Sequence, residues 1–117
     1  MTVKIYHNPR CSKSRQTLAL LQTHGIEPYI IEYLIHPPSK SQLKKILAQL
    51  GMQPRDIMRK KEQEYQDNHL DDPTLTEDQL IDAMIKHPKL IERPIVVHGE
   101  KAALGRPPEN VLEILSD

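Results

Sequence analysis

Two hydrophobic periods alternate along the chain. Short β-branched or aromatic runs read as strands, and longer stretches with apolar residues three or four apart read as helices. Val3 to His7 (VKIYH) predicts a first strand, broken by Asn8-Pro9. From Ser12 to His24 the pattern is helical, with Leu18 and Leu21 on one face and Gly25 placed to stop it. Pro28 to Leu34 (PYIIEYL) predicts a second strand, ended by His36-Pro37-Pro38-Ser39. Two strands joined through a helix form a βαβ unit, in which the strands should run parallel and the connection should be right-handed.

The middle of the chain reads as helical. Leu43, Ile46, Leu47 and Leu50 make one apolar face, with Ser39 or Ser41 as cap and Gly51 as stop. Pro54 to Tyr65 (PRDIMRKKEQEY) predicts a further helix with proline at its first position. After the loop DNHLDDPTL, Thr76 and Gln79 have capping-box spacing and open a helix that turns Leu80, Ile81, Met84 and Ile85 inward, stopping before Pro88. Ile95 to His98, a Gly99-Glu100 turn and Lys101 to Leu104 predict a hairpin. RPPENVLEILSD predicts a closing helix with Val111, Leu112 and Leu115 apolar. The order is βαβ, three helices, ββα, an α/β sandwich around a small mixed sheet. No repeat, low-complexity tract or linker divides it, so residues 1–117 read as one domain, with a helical insertion at about 39–88.

Composition adds mainly exclusions. Of 117 residues, 27% are charged and 38% hydrophobic, as in an ordinary globular chain. No apolar run approaches the roughly 18 residues that span a bilayer, and the N-terminus has no signal-peptide core, so a cytoplasmic protein is expected. Zero net charge and four tyrosines as the only aromatic residues argue against a nucleic-acid platform. The histidines and the lone cysteine show no metal-ligand spacing, and no metal is expected. Charge is nevertheless uneven. Lys4, Arg10, Lys13 and Arg15 precede any acid, and Arg55, Arg59, Lys60 and Lys61 make a second basic group. Local basic focus on a neutral chain suits a small anion better than a long one.

That first basic group surrounds the only cysteine, Cys11. A lone cysteine is often just a small buried hydrophobe. This one lies at a strand-to-helix junction, where free backbone N–H groups favour an anion, either a thiolate or a bound oxyanion. Making an ordinary thiol mostly thiolate at pH 7 takes about 2.7 kcal/mol, whereas a helix N-terminus supplies about 0.3–1 kcal/mol, or about 2 at best. His7, Arg15 or an arginine folded in from elsewhere must provide the rest, although His7 could equally be a packed strand-end histidine. Arg93 and Arg106 each precede a proline at the ends of the predicted hairpin. If the hairpin lies beside the first strand, both can approach the Cys11 loop with forked donors suited to a tetrahedral oxyanion.

Together, YHNPRCSKSR, MRKKE, IERPIVV and LGRPPE resemble the ArsC family of glutaredoxin-linked arsenate reductases over essentially the whole chain. Longer members continue past the last helix, so the resemblance is to the shorter branch. It implies a thioredoxin-like fold with an inserted helical subdomain, and Cys11 as nucleophile. His7 and Arg15 would lower its pKa, and Arg59, Arg93 and Arg106 would bind the oxyanion. Pro94 falls where such folds carry a cis proline facing the cysteine. The implied reaction reduces arsenate to arsenite through a cysteinyl adduct, with glutathione as co-substrate, glutaredoxin as second reductant and no bound cofactor. A monomer is expected. The RKKEQEY segment is more charged after Arg59 than that of the longer members.

Two other functions compete. A monothiol glutaredoxin-like oxidoreductase acting on glutathione mixed disulfides would need the same cysteine but no arginine cage. A regulatory module resembling the Spx branch would carry C-x-x-C, yet Ser14 stands where the second cysteine would be.

Overall fold

A computed structural model describes residues 2–115. The chain divides into two compact units, one formed by the chain up to His36 together with that from Arg93 onward, the other by Pro37–Glu92.

The first unit is built on a four-stranded sheet of β1 (Val3–His7), β2 (Tyr29–Glu32), β3 (Ile95–His98) and β4 (Lys101–Leu104). Its order is β2-β1-β3-β4. β1 pairs parallel with β2, as a helical crossover requires, and antiparallel with β3, while β3 and β4 form the predicted hairpin with His98 opposite Lys101. The register His7 opposite Glu32 matters below. The crossover helix α1 (Ser12–Thr23) ends at His24, and Gly25 follows at φ +77°. Val3, Ile5, Leu21, Val96, Val111 and Ile114 form the core of this unit. Alternation along β1 sends Val3 and Ile5 into it and leaves Lys4 exposed.

β2 is shorter than expected. The chain leaves the sheet after Glu32, whose carbonyl accepts hydrogen bonds from the N–H groups of Ile35 and His36. The closing helix also differs. Pro108–Ile114 is a 3₁₀ helix, with Pro108, Val111 and Ile114 buried and Leu112 and Leu115 only half-buried. The cause is the spacing of the apolar residues. A 3₁₀ helix eclipses residues three apart, and the sequence offers an apolar residue at 108, 111 and 114.

In the second unit, α2 (Lys40–Leu50) and α4 (Glu77–Lys86) both open on complete capping boxes, Ser39 with Gln42 and Thr76 with Gln79. α4 packs on α2 and on two 3₁₀ turns, Pro54–Ile57 and Pro88–Leu90. The helix expected over Pro54 to Tyr65 does not form as one piece. After the turn at Pro54–Ile57 the backbone extends, Met58 bridges antiparallel to Ile91, and Arg59 N–H donates to the Leu90 carbonyl at 2.7 Å. Helix resumes only in the short α3 (Gln63–Asp67). Lys60, Lys61 and Glu62 supply no apolar face after Ile57 and Met58, so nothing rewards a continued helix there. Pairing with residues 90–92 satisfies the backbone instead.

Candidate functional site

The N-cap of α1 is Cys11, in extended conformation. The loop before it is held by hydrogen bonds. Cys11 N–H donates to the Asn8 carbonyl at 3.0 Å, Arg10 N–H to Asn8 Oδ1 at 3.0 Å, and Asn8 N–H to Ser14 Oγ at 3.0 Å. Asn8 thus makes the Asx-type turn that its residue type favours, and the loop presents a fixed cradle.

The Cys11 side chain is largely buried, 8% exposed. Burial pushes its thiol pKa up, yet the net displacement is downward. Arg93 reverses it by a hydrogen bond to the sulfur and by its charge, aided by the Ser14 and Lys13 backbone N–H groups, which face the sulfur without closing a formal cap bond. Arg106 approaches from the same side, its Nη2 3.6 Å from Cys11 Sγ and its Nε donating to the Arg93 carbonyl at 2.7 Å. Both arginines flank a cis peptide bond to proline, Arg93–Pro94 and Arg106–Pro107. The hairpin delivers them together because β3 lies beside β1, which puts both hairpin ends level with the Cys11 loop.

His7 and Arg15 behave differently from expectation. His7 is buried, and loss of solvent pulls its pKa below the usual imidazole value; Glu32 across the β1–β2 register raises it and Arg15 lowers it further. A neutral ring provides no positive charge for the thiolate. Its Nδ1 lies 2.6 Å from Ser14 Oγ rather than on the sulfur. Arg15 Nη1 donates to the Pro9 carbonyl at 3.0 Å, tying the helix to the loop, and is absent from the interactions that move the Cys11 pKa. Arg59 lies in the other unit, where Nε and Nη1 each sit 3.2 Å from a carboxylate oxygen, of Glu62 and Glu92 respectively. Glu62 belongs to the charged RKKEQEY segment.

Gly105, which the sequence pattern did not single out, holds the arginine platform together. A Cβ there would lie 2.5 Å from Thr17 Oγ1 and 2.7 Å from Pro94 Cγ. Gly105 N–H donates to the Pro94 carbonyl at 2.9 Å, and Thr17 is fully buried beneath. The helix, the cis-proline turn and the end of β4 therefore meet at a point with room only for hydrogen. Its signal was available in retrospect as the glycine directly before Arg106. Gly105→Ala should cost about 1–3 kcal/mol by overpacking and lower the melting temperature by roughly 4–12 °C. An unchanged melting curve would mean that Thr17 and Pro94 yield freely.

Among the described residues, no group of three or more His, Cys, Asp or Glu is placed to hold a metal ion, and no helix is long and apolar enough to cross a membrane. The site is therefore defined by one sulfur, two guanidinium groups and a helix N-terminus on a small mixed sheet. The fold is the thioredoxin-like one of the ArsC proteins, and residues 6–114 match the ArsC family. The chain belongs to that family. It is 54% identical over 114 residues to the uncharacterized protein YfgD of Escherichia coli K12, covering 97% of this chain and 96% of that protein. It is 51% identical over 116 residues to the arsenate reductase of Haemophilus influenzae, covering 98% of this chain and all of that protein. The solved structure of an arsenate reductase from Vibrio cholerae superposes with a TM-score of 0.95 at 56% identity, covering 98% of each chain.

Proposed function

We propose that the chain reduces arsenate to arsenite, with Cys11 as nucleophile and Arg93 and Arg106 as oxyanion ligands. The observation that carries this reading is the convergence of both arginines on the Cys11 sulfur, Arg106 Nη2 at 3.6 Å and Arg93 in hydrogen bond with it. Relatives of about half-identical sequence named arsenate reductase support the choice of oxyanion.

In this reading the thiolate attacks arsenic and forms an S–As bond, and one As–O bond breaks, its oxygen leaving as water after protonation. The guanidinium groups and the helix N–H groups stabilise charge on the oxygens. No second cysteine exists in the chain to resolve the adduct, so an outside thiol must do so. Glutathione displaces a second oxygen as water and binds arsenic. A glutaredoxin thiol then attacks the glutathione sulfur, and the As–S electron pair passes to arsenic. Hydrolysis releases arsenite and regenerates Cys11. The sum is arsenate plus two thiols giving arsenite, one mixed disulfide and water, a two-electron reduction.

The test is NADPH oxidation coupled through glutathione reductase, with glutathione and glutaredoxin present. Consumption should require arsenate together with both thiol partners. Consumption with a small glutathione mixed disulfide but none with arsenate would overturn the reading and favour a monothiol oxidoreductase.

A further inference from the structure

Ser14 occupies the place of the second cysteine in a C-x-x-C motif, and its side chain has no exposed surface. It stands at the third helical position of α1, where a Glu or Gln of a capping box would reach back to the N-cap N–H. Here the Cys11 N–H already donates to the Asn8 carbonyl, and Ser14 Oγ reaches further, to Asn8 N–H at 3.0 Å and His7 Nδ1 at 2.6 Å. We propose that Ser14 is a positioning residue for Cys11. Its hydroxyl ties the end of β1 to the first turn of α1 and so keeps the Ser14 and Lys13 N–H groups aimed at the sulfur. The inference rests on the proposed role of Cys11.

The Asn8 N–H can only donate, so Ser14 Oγ accepts there. On this proposal the hydroxyl hydrogen goes to His7 Nδ1, 2.6 Å away, which leaves the ring proton on Nε2. Burial keeps His7 neutral, against the pull of Glu32 from β2 and with the help of Arg15 from α1. His7 therefore acts on the thiolate through Ser14 and not by its own charge. The hydroxyl cannot be replaced by a methyl group without leaving the buried Asn8 N–H and His7 Nδ1 short of a partner.

Two measurements that need no arsenate test this. Nitrogen chemical shifts of His7 in the wild-type protein should show Nε2 protonated and Nδ1 bare at neutral pH. In Ser14→Ala the pH midpoint of Cys11 alkylation should rise, and the alkylation rate at pH 6–7 should fall about 3–10-fold. A wild-type His7 protonated at Nδ1 overturns the proposal, as does a folded Ser14→Ala with an unshifted midpoint. The wild-type shifts decide the matter if the variant does not fold. Absence of arsenate turnover with both results as expected would count against the proposed reaction and leave the role of Ser14 standing.

Discussion

Cys11→Ser should lower arsenate-dependent NADPH oxidation by about 10³-fold or more, to the level of the assay without protein. The hydroxyl is nearly the size of the thiol and can take its place at the N-cap. The Cys11 N–H bond to the Asn8 carbonyl involves only backbone and should survive. A matching melting curve is therefore expected alongside the loss. What disappears is ionisation. Arg93, Arg106 and the helix N–H groups act on a group whose ordinary pKa is about 8.5, close enough to neutrality for a few hydrogen bonds and charges to decide its state. The same surroundings cannot ionise an alcohol at pH 7. Wild type and serine variant consuming NADPH equally would remove Cys11 from the reaction, and the two arginines would need another purpose.

Much of this site was legible in the sequence because its placement follows from local rules. The β1 run, the Pro break and the helical period put Cys11 at a helix start, and the hairpin signal put Arg93 and Arg106 at matching ends of two strands. The two capping boxes and the Gly99-Glu100 turn formed for the same reason, since each is decided by residues within four positions of one another. What sequence reasoning missed depends on partners far along the chain. Residues 57–59 gave up helix for a pairing with residues 90–92, more than thirty positions away. The tightness at Gly105 arises from Thr17 on α1 and Pro94 at the start of β3. His7 and Arg15 were candidates from their nearness to Cys11 and from the ArsC resemblance, and neither is among the groups that displace the Cys11 pKa. His7 points its Nδ1 at Ser14, and Arg15 reaches back to Pro9, so nearness to Cys11 in the chain did not become a direct contact with its sulfur.

Arg93→Ala should raise the pH at which Cys11 ionises and reduce kcat/KM for arsenate by about 10²–10³-fold, the effect of removing one preorganised donor to developing oxyanion charge. The sign follows from the balance at the sulfur. Burial alone pushes the thiol upward, and Arg93, by hydrogen bond and by charge, is the largest of the influences that bring it down. Without it, burial is opposed by the weaker Ser14 and Lys13 N–H groups, with Arg106 Nη2 3.6 Å from the sulfur, so the alkylation profile must move to higher pH. Stability should respond through the same linkage. A group held below its unfolded pKa contributes stability above the unfolded value and loses it as pH falls through the folded one. The wild-type advantage over Arg93→Ala should therefore shrink on acidification through the folded pKa of Cys11, as denaturant unfolding at several pH values would show. Arg93→Lys separates the two contributions of the side chain. It keeps a charge near the sulfur but loses the planar fork, so ionisation should be partly restored while turnover of a tetrahedral oxyanion recovers much less. Full recovery of both would reduce the role of Arg93 to simple charge, and an unshifted alkylation profile in Arg93→Ala would mean that the helix N–H groups and Arg106 suffice to ionise Cys11.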